Sequence, residues 1–304
     1  MVGAVFELEP IGGYSLRESA RFIDAWHEAP SDGDGEPGHL HVAFLTDGKS
    51  APVGVCLRRE LEGTVRGEVF GDAPEAAVRA QAARILSLDV DGRAWPAVAA
   101  RDSVVARLQA MFAGFRPVNW SNAYEAAAWC LISSRIAIRQ AQGVKERMCR
   151  ELGRSVDIHG HRLWCFPEPE ALVQLRSFGG LFGRKVEYLN ALGLAALRGD
   201  LDTETLRRLP ADEALERLKR LKGIGEFGSQ LIRLRALSAV DELPTAEPRL
   251  LEAVRVQYGL AHAPDMEELS AIAEGWRPFR MWVAVSLRRT LAAGAGMMHS
   301  RAAG

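Results

Sequence analysis

From Arg101 onward the chain all but abandons the two-residue alternation of a half-buried strand. Its apolar residues recur instead at three- and four-residue steps, through 122–152, 168–176, 183–198, 211–222, 226–238, 247–257, 265–275 and 278–292. Alanine, leucine and arginine, all good helix formers, dominate this stretch. Most of a 304-residue chain is thereby committed to packed helices, a bundle of about eight, punctuated by Gly179-Gly180, Gly223-Ile224-Gly225 and Gly259. No solenoid-like repeat and no low-complexity segment interrupts it.

Before Arg101 the signals are mixed. Segments 5–9, 40–44, 53–57 and 64–70 alternate or run apolar as strands do, and the Gly/Asp-rich stretch 31–37 separates the first two. Between those two, Ser15 and Glu18 form a capping-box pattern that opens a helix with apolar positions Leu16, Ala20, Ile23 and Trp26. A second helix is expected over 74–86. The fold class is therefore α+β: a small antiparallel sheet domain with helices over 1–110, then an all-α region over 111–304.

No stretch approaches the ~20 apolar residues needed to cross a bilayer, and residues 1–12 lack the basic, apolar, small-residue order of a signal peptide, so a cytoplasmic, membrane-free protein is expected. The four cysteines, Cys56, Cys130, Cys149 and Cys165, make no CxxC pair and no short regular spacing. They read as buried or incidental thiols, and no metal is expected from them. A net charge of -1 excludes a protein that coats nucleic acid through bulk charge. Distribution is more telling: Arg217, Lys219, Arg220, Lys222, Arg233 and Arg235 face the single acid Glu226, and Arg277, Arg280, Arg288 and Arg289 cluster further on.

The most informative stretch is 218–235, where an amphipathic helix ends in Gly223-Ile224-Gly225 and another begins at once. Two glycines flanking one apolar residue make a tight hairpin. The glycines accept positive φ and let a ligand approach the backbone, while the free amides of the next helix stand at the positive end of its dipole. Such a site suits a phosphate, and Lys222 adds a charge. Because the donors are backbone, it grips DNA without reading sequence. About twenty residues later comes the acidic, proline-containing stretch 240–250, and then a new helix.

Lys222-Gly223-Ile224-Gly225 with Gly228, then Leu234-Arg235, then Asp241-Glu242-Leu243-Pro244 and an acid opening a helix, resembles the signature of the helix–hairpin–helix DNA glycosylases. Trp276-Arg277-Pro278-Phe279-Arg280 and Phe166-Pro167-Glu168-Pro169 are similar to segments of the AlkA-type branch, which acts on alkylated bases such as 3-methyladenine. The resemblance covers 120–290 by motif and 1–100 only by layout. It implies two helical lobes with a cleft between them, double-stranded DNA with damaged bases as partner, a monomer, and base excision repair as the setting.

The family's catalytic Asp position falls on Glu247 when counted without gaps from the hairpin, and on Ala246 when aligned on Pro244. Glu247 is preferred: it precedes Pro248, which suits the first helical position, so it should sit at a helix N-cap where the dipole holds a carboxylate ionised. A fixed anion near C1′ stabilises an oxocarbenium-like sugar. Glutamate carries its charge one carbon–carbon bond, ~1.5 Å, further than aspartate. Asp241 is the runner-up acid, and its counterpart in the family pattern is structural. Members that also cut the DNA backbone have a lysine where this chain has Phe227, which implies monofunctional hydrolysis without a Schiff base. No cofactor is implied, although hairpin carbonyls suit an alkali cation. Candidates to clasp or replace a flipped base are Tyr124, Trp129, Phe227, Trp276 and Trp282, and Ser133, Ser134 and Arg135 occupy the family's intercalating stretch. The alternative function is a non-catalytic relative that binds damaged duplex without turnover.

Overall fold

A computed structural model describes residues 3–24, 38–48, 50–59 and 63–301. Trp26 and the 31–37 loop lie outside those residues. Strands β1 (Val5–Leu8), β2 (His39–Leu45), β3 (Pro52–Arg59) and β4 (Val65–Phe70) form one antiparallel sheet in the order β1-β4-β3-β2. Alternation assigns its faces. Leu40, Phe44, Val53, Val55, Leu57, Val65 and Val69 point to one side, where Val78, Ala82 and Ile85 of α2 (Glu75–Ile85) and Leu16 of α1 (Leu16–Asp24) complete an apolar core.

The capping box forms only in part. The Glu18 amide donates to Ser15 Oγ at 3.3 Å, but the Glu18 carboxylate turns away to Arg21 at 2.7 Å and Arg289 at 2.9 Å. Two guanidinium partners at a buried site outweigh one backbone amide.

The opposite face of the sheet carries His39, His41, Cys56, Arg58 and Glu68, with His41 directly across from Cys56. It is covered by strands that periodicity did not reveal, β5 (Ser155–Ile158) and β6 (His161–Trp164), inserted among the helices. Their two-residue loop is His159-Gly160, both at positive φ (49° and 84°), the backbone of a type I′ turn. Gly54 makes the packing possible, since a Cβ there would lie 2.7 Å from Ile158 Cδ1.

The helices form two lobes. In the first, α5 (Ala123–Ser133), α6 (Ile138–Leu152), α7 (Pro169–Val173), α8 (Lys185–Leu197), α9 (Thr203–Arg207), α10 (Ala211–Lys219) and α11 (Glu226–Arg235) enclose Leu131, Ile132, Leu189, Leu218, Ile224 and Ile232. The apolar run over 122–152 is thus two helices rather than one, and α9 is an extra turn of helix. In the second lobe, α12 (Pro248–Tyr258), α13 (Met266–Glu274) and α14 (Arg280–Arg301) share a core with α3 (Trp95–Arg101) and α4 (Ser103–Met111), so the segment just after the sheet packs with the C-terminal helices. Helix α11 joins the lobes: Ile232 faces the first core and Leu234 the second. Among the described residues no helix is long and apolar enough to cross a membrane.

Candidate functional site

The hairpin between α10 and α11 has the expected form. Gly223 has φ +83°, and a Cβ there would meet Tyr188 at 2.6 Å and Leu131 at 2.8 Å. Ile224 is buried and its amide donates to Leu221 O at 3.1 Å, which closes the turn. Gly225 is the N-cap of α11 and brings no side-chain cap to the first amides of that helix, while the space a Cβ would take is open. The two glycines differ in purpose: the first allows the turn, the second leaves the helix terminus uncovered. Gly228 faces inward instead, where a Cβ would come within 3.2 Å of Ile224 Cγ2, and its carbonyl oxygen lies 3.8 Å from Cys130 Sγ of α5.

Beside the hairpin stands the break between α5 and α6. The C-terminal carbonyls of α5 are capped by side chains: Ser133 Oγ donates to Trp129 O, Ser134 Oγ to Leu131 O, and Lys185 Nζ to Ile132 O at 2.7 Å. Burial pulls the Lys185 pKa down. Arg135 then takes φ +56°, and Ser134 and Arg135 are exposed. A non-glycine residue held in the left-handed region costs about 1–2 kcal/mol, and here it projects a long cation off the loop.

Past α11 the chain turns back along it through 240–247. Gln230 fixes this return: its Nε2 donates to Thr245 Oγ1 at 2.7 Å and its Oε1 accepts from the Ala246 amide at 2.9 Å. Arg233 holds Glu242 at 2.5 Å, and Arg277 and Arg280 hold Asp241 at 2.8 and 3.0 Å. Both acids at the head of the loop are therefore ion-paired anchors.

Glu247 is the N-cap of α12, as expected, with Oε1 accepting from the Arg249 amide at 3.2 Å. Its other oxygen meets Arg288 Nη1 of α14 at 2.7 Å. A small cavity of about 50 Å³ opens here between α11, the returning loop and α14, lined by Phe227, Gln230, Arg235, Ala246, Glu247 and Arg288 among others. Glu247 is the one carboxylate in that lining, and the Ala246 alternative lies beside it. Two cations flank it. Burial lowers the Arg288 pKa, opposed by Glu247; burial and the neighbouring Arg288 pull Arg235 down to about 10.

The aromatic residues divide. Phe227 is 43% exposed at the cavity rim. Tyr124, Trp129, Trp276 and Trp282 are each at most 5% exposed and belong to the cores. Tyr124 donates to Pro167 O at 3.0 Å, Trp129 packs on Trp120 at 5.6 Å, Trp276 donates to Tyr258 Oη at 2.8 Å, and Trp282 packs on Phe279 at 4.7 Å. In this conformation these four rings are buried within the cores, and Phe227 is the aromatic candidate that is exposed at the cavity.

The basic run is likewise smaller than its residue count. Arg217, Lys219, Arg233, Arg277, Arg280, Arg288 and Arg289 are ion-paired, and Arg235 donates to Val118 O. Exposed Arg220 and Lys222 remain beside the hairpin, the latter 3.9 Å from Glu187. Gln230 and Arg288 were not legible as site residues. A lone glutamine on a helix has no pattern, and nothing in the spacing aims Arg288 at residue 247.

No family model matches the chain. Among curated proteins it is similar to a DNA-3-methyladenine glycosylase of Bacillus subtilis (strain 168), 22% identical over 184 residues, which are 59% of this chain and 61% of that one. The chain thus spans about three fifths of the length of that curated relative. Among solved structures it is similar to a 3-methyladenine DNA-glycosylase from Archaeoglobus fulgidus, with TM-score 0.77 and 22% identity over 93% of this chain and 97% of that one. The 8-oxoguanine glycosylase/lyase of Clostridium acetobutylicum, solved with double-stranded DNA, also matches, with TM-score 0.62 and 14% identity over 86% and 97% of the two chains.

Proposed function

We propose that this chain, which shares the fold of the helix–hairpin–helix DNA glycosylases, is itself a monofunctional DNA N-glycosylase of base excision repair that hydrolyses the N-glycosidic bond of alkylated bases. One observation carries the reading: the cavity beside the hairpin is lined by a single carboxylate, Glu247, held at a helix N-terminus. In this scheme Gly225 and the uncapped amides of α11 take a backbone phosphate, with Lys222 adding charge, and the loop at Ser134 and Arg135 enters the space left by the extruded nucleotide. Phe227, where a lyase would carry lysine, offers a ring face to the base. As the C1′–N bond breaks, the electron pair leaves with the base, Glu247 stabilises the cationic sugar, and water adds at C1′.

The cavity of about 50 Å³ is far below the ~300 Å³ at which ligand pockets begin. Base insertion thus requires Phe227 and Arg288 to move, and moving Arg288 also frees the second oxygen of Glu247. The test is single-turnover release of alkylpurines from damaged duplex. Glu247→Gln should slow release about 10²–10³-fold, as loss of one electrostatic stabiliser does, with affinity for an abasic duplex within about twofold of the parent. Absence of release by the parent protein from every alkylated duplex tested overturns the enzymatic reading. The Glu247–Arg288 ion pair favours the second reading, a damage-binding protein without turnover, because a paired carboxylate exerts a weaker field on the sugar. That reading predicts salt-dependent DNA affinity and no release from either form.

A further inference from the structure

The polar layer between the N-terminal sheet and the β5–β6 hairpin holds a concentration of metal-ligating side chains remote in sequence from the hairpin and Glu247. We propose that it is a zinc site, with His39, His41 and Cys56 as ligands and His161 as the fourth.

Strand geometry assembles the first three. His39 and His41 are two apart on β2 and so share a face, and antiparallel register sets Cys56 of β3 directly opposite His41. One ligating atom from each lies within 4.8 Å of the other two, so small side-chain adjustments bring them to the ~3.5 Å separations that a tetrahedral ion with bonds of about 2.0–2.3 Å imposes. His41 and Cys56 are 3% and 1% exposed, so the site has a dry floor, while half-buried His39 leaves it a path to solvent.

The hairpin closes the layer. The His161 ring lies 5.8 Å from the His41 ring, centroid to centroid, near the ~5 Å expected of two imidazoles on one zinc ion. His159 is also close, at 5.6 Å, but its Nε2 meets Arg58 at 3.2 Å and Glu68 at 3.3 Å, which leaves His161 as the better placed ligand. Arg58 Nε also donates to Cys56 Sγ at 3.4 Å, so the thiol faces the same polar layer. Three imidazoles and a thiolate are the borderline-soft set that suits zinc rather than magnesium or calcium. The role would be structural: the ion ties β2 and β3 to a hairpin inserted in the first helical lobe.

The untagged full chain, reduced and stripped with a chelator, is titrated with Co²⁺ and then Zn²⁺. The expected result is saturation near one ion per chain, with tetrahedral visible bands and a near-ultraviolet thiolate band that Zn²⁺ displaces. Cys56→Ser should abolish the thiolate band, whereas Cys130→Ser, Cys149→Ser and Cys165→Ser should keep it. His161→Ala, at an exposed position with little effect on folding, should weaken affinity at least tenfold and remove most of the Zn²⁺-dependent rise in Tm seen in the parent. Absence of a stoichiometric thiolate band in the parent overturns the site, as does a band that survives in folded Cys56→Ser. Unchanged affinity in His161→Ala removes the fourth ligand.

Discussion

At residue scale the least expected contact is Glu247 with Arg288. The carboxylate side chain is 11% exposed, so removing its partner leaves a nearly buried charge that one backbone amide only partly satisfies. Arg288→Ala is expected to destabilise the fold by about 1–3 kcal/mol, read as a shift of the urea midpoint at constant m. An unchanged midpoint would mean that Glu247 finds water instead. What the sequence revealed follows the same logic. Glu247 was legible because an acid followed by proline is a local signal for a helix start, and local signals survive folding. Trp276 was not, because a family-like segment places a residue along the chain without fixing the direction of its side chain. Here the ring turns inward to Tyr258, whose hydroxyl in turn donates to Asp102.

At the scale of elements, the two glycines of the hairpin should separate folding from binding. Gly223→Ala forces a Cβ against Tyr188 and Leu131 at φ +83°, and should cost about 1–3 kcal/mol of stability. Gly225→Val meets open space at φ -104° and should fold as the parent does, while its branched side chain shields the amides of α11. The expected signature is an unchanged Tm with a loss of duplex affinity of about tenfold, and a shallower dependence of log K on log salt. Equal affinity in Gly225→Val would remove the hairpin from the DNA interface. Helices this long announce themselves by period, whereas β5 and β6 have four residues each, too few for alternation to outweigh the surrounding helical pattern. Their remaining signal was the His159-Gly160 pair, a weak turn cue without the usual Asn or Asp before glycine.

For the whole molecule, burial raises three thiols, Cys130 and Cys165 to about 12 and Cys149 to about 11. The folded state therefore holds these protons more tightly than the unfolded chain, whose thiols ionise near 8.5. Their contribution is fully present below that value and is lost as pH rises toward 11–12, so the urea midpoint should fall across pH 9–11. A flat midpoint over that window would contradict the burial of these groups. The second core carries a different consequence, one of time. Val98, Val104, Val105 and Leu108 find their partners in Leu250, Val254, Leu269 and Trp282, which emerge from the ribosome more than a hundred residues later. At ~5–20 residues per second that is an interval of several seconds or longer in which a newly made apolar face lacks its α12–α14 partners and has Phe22, Phe112 and Phe115 of this core beside it. Yield during synthesis should then depend on chaperones that shelter α3 and α4 until α14 arrives.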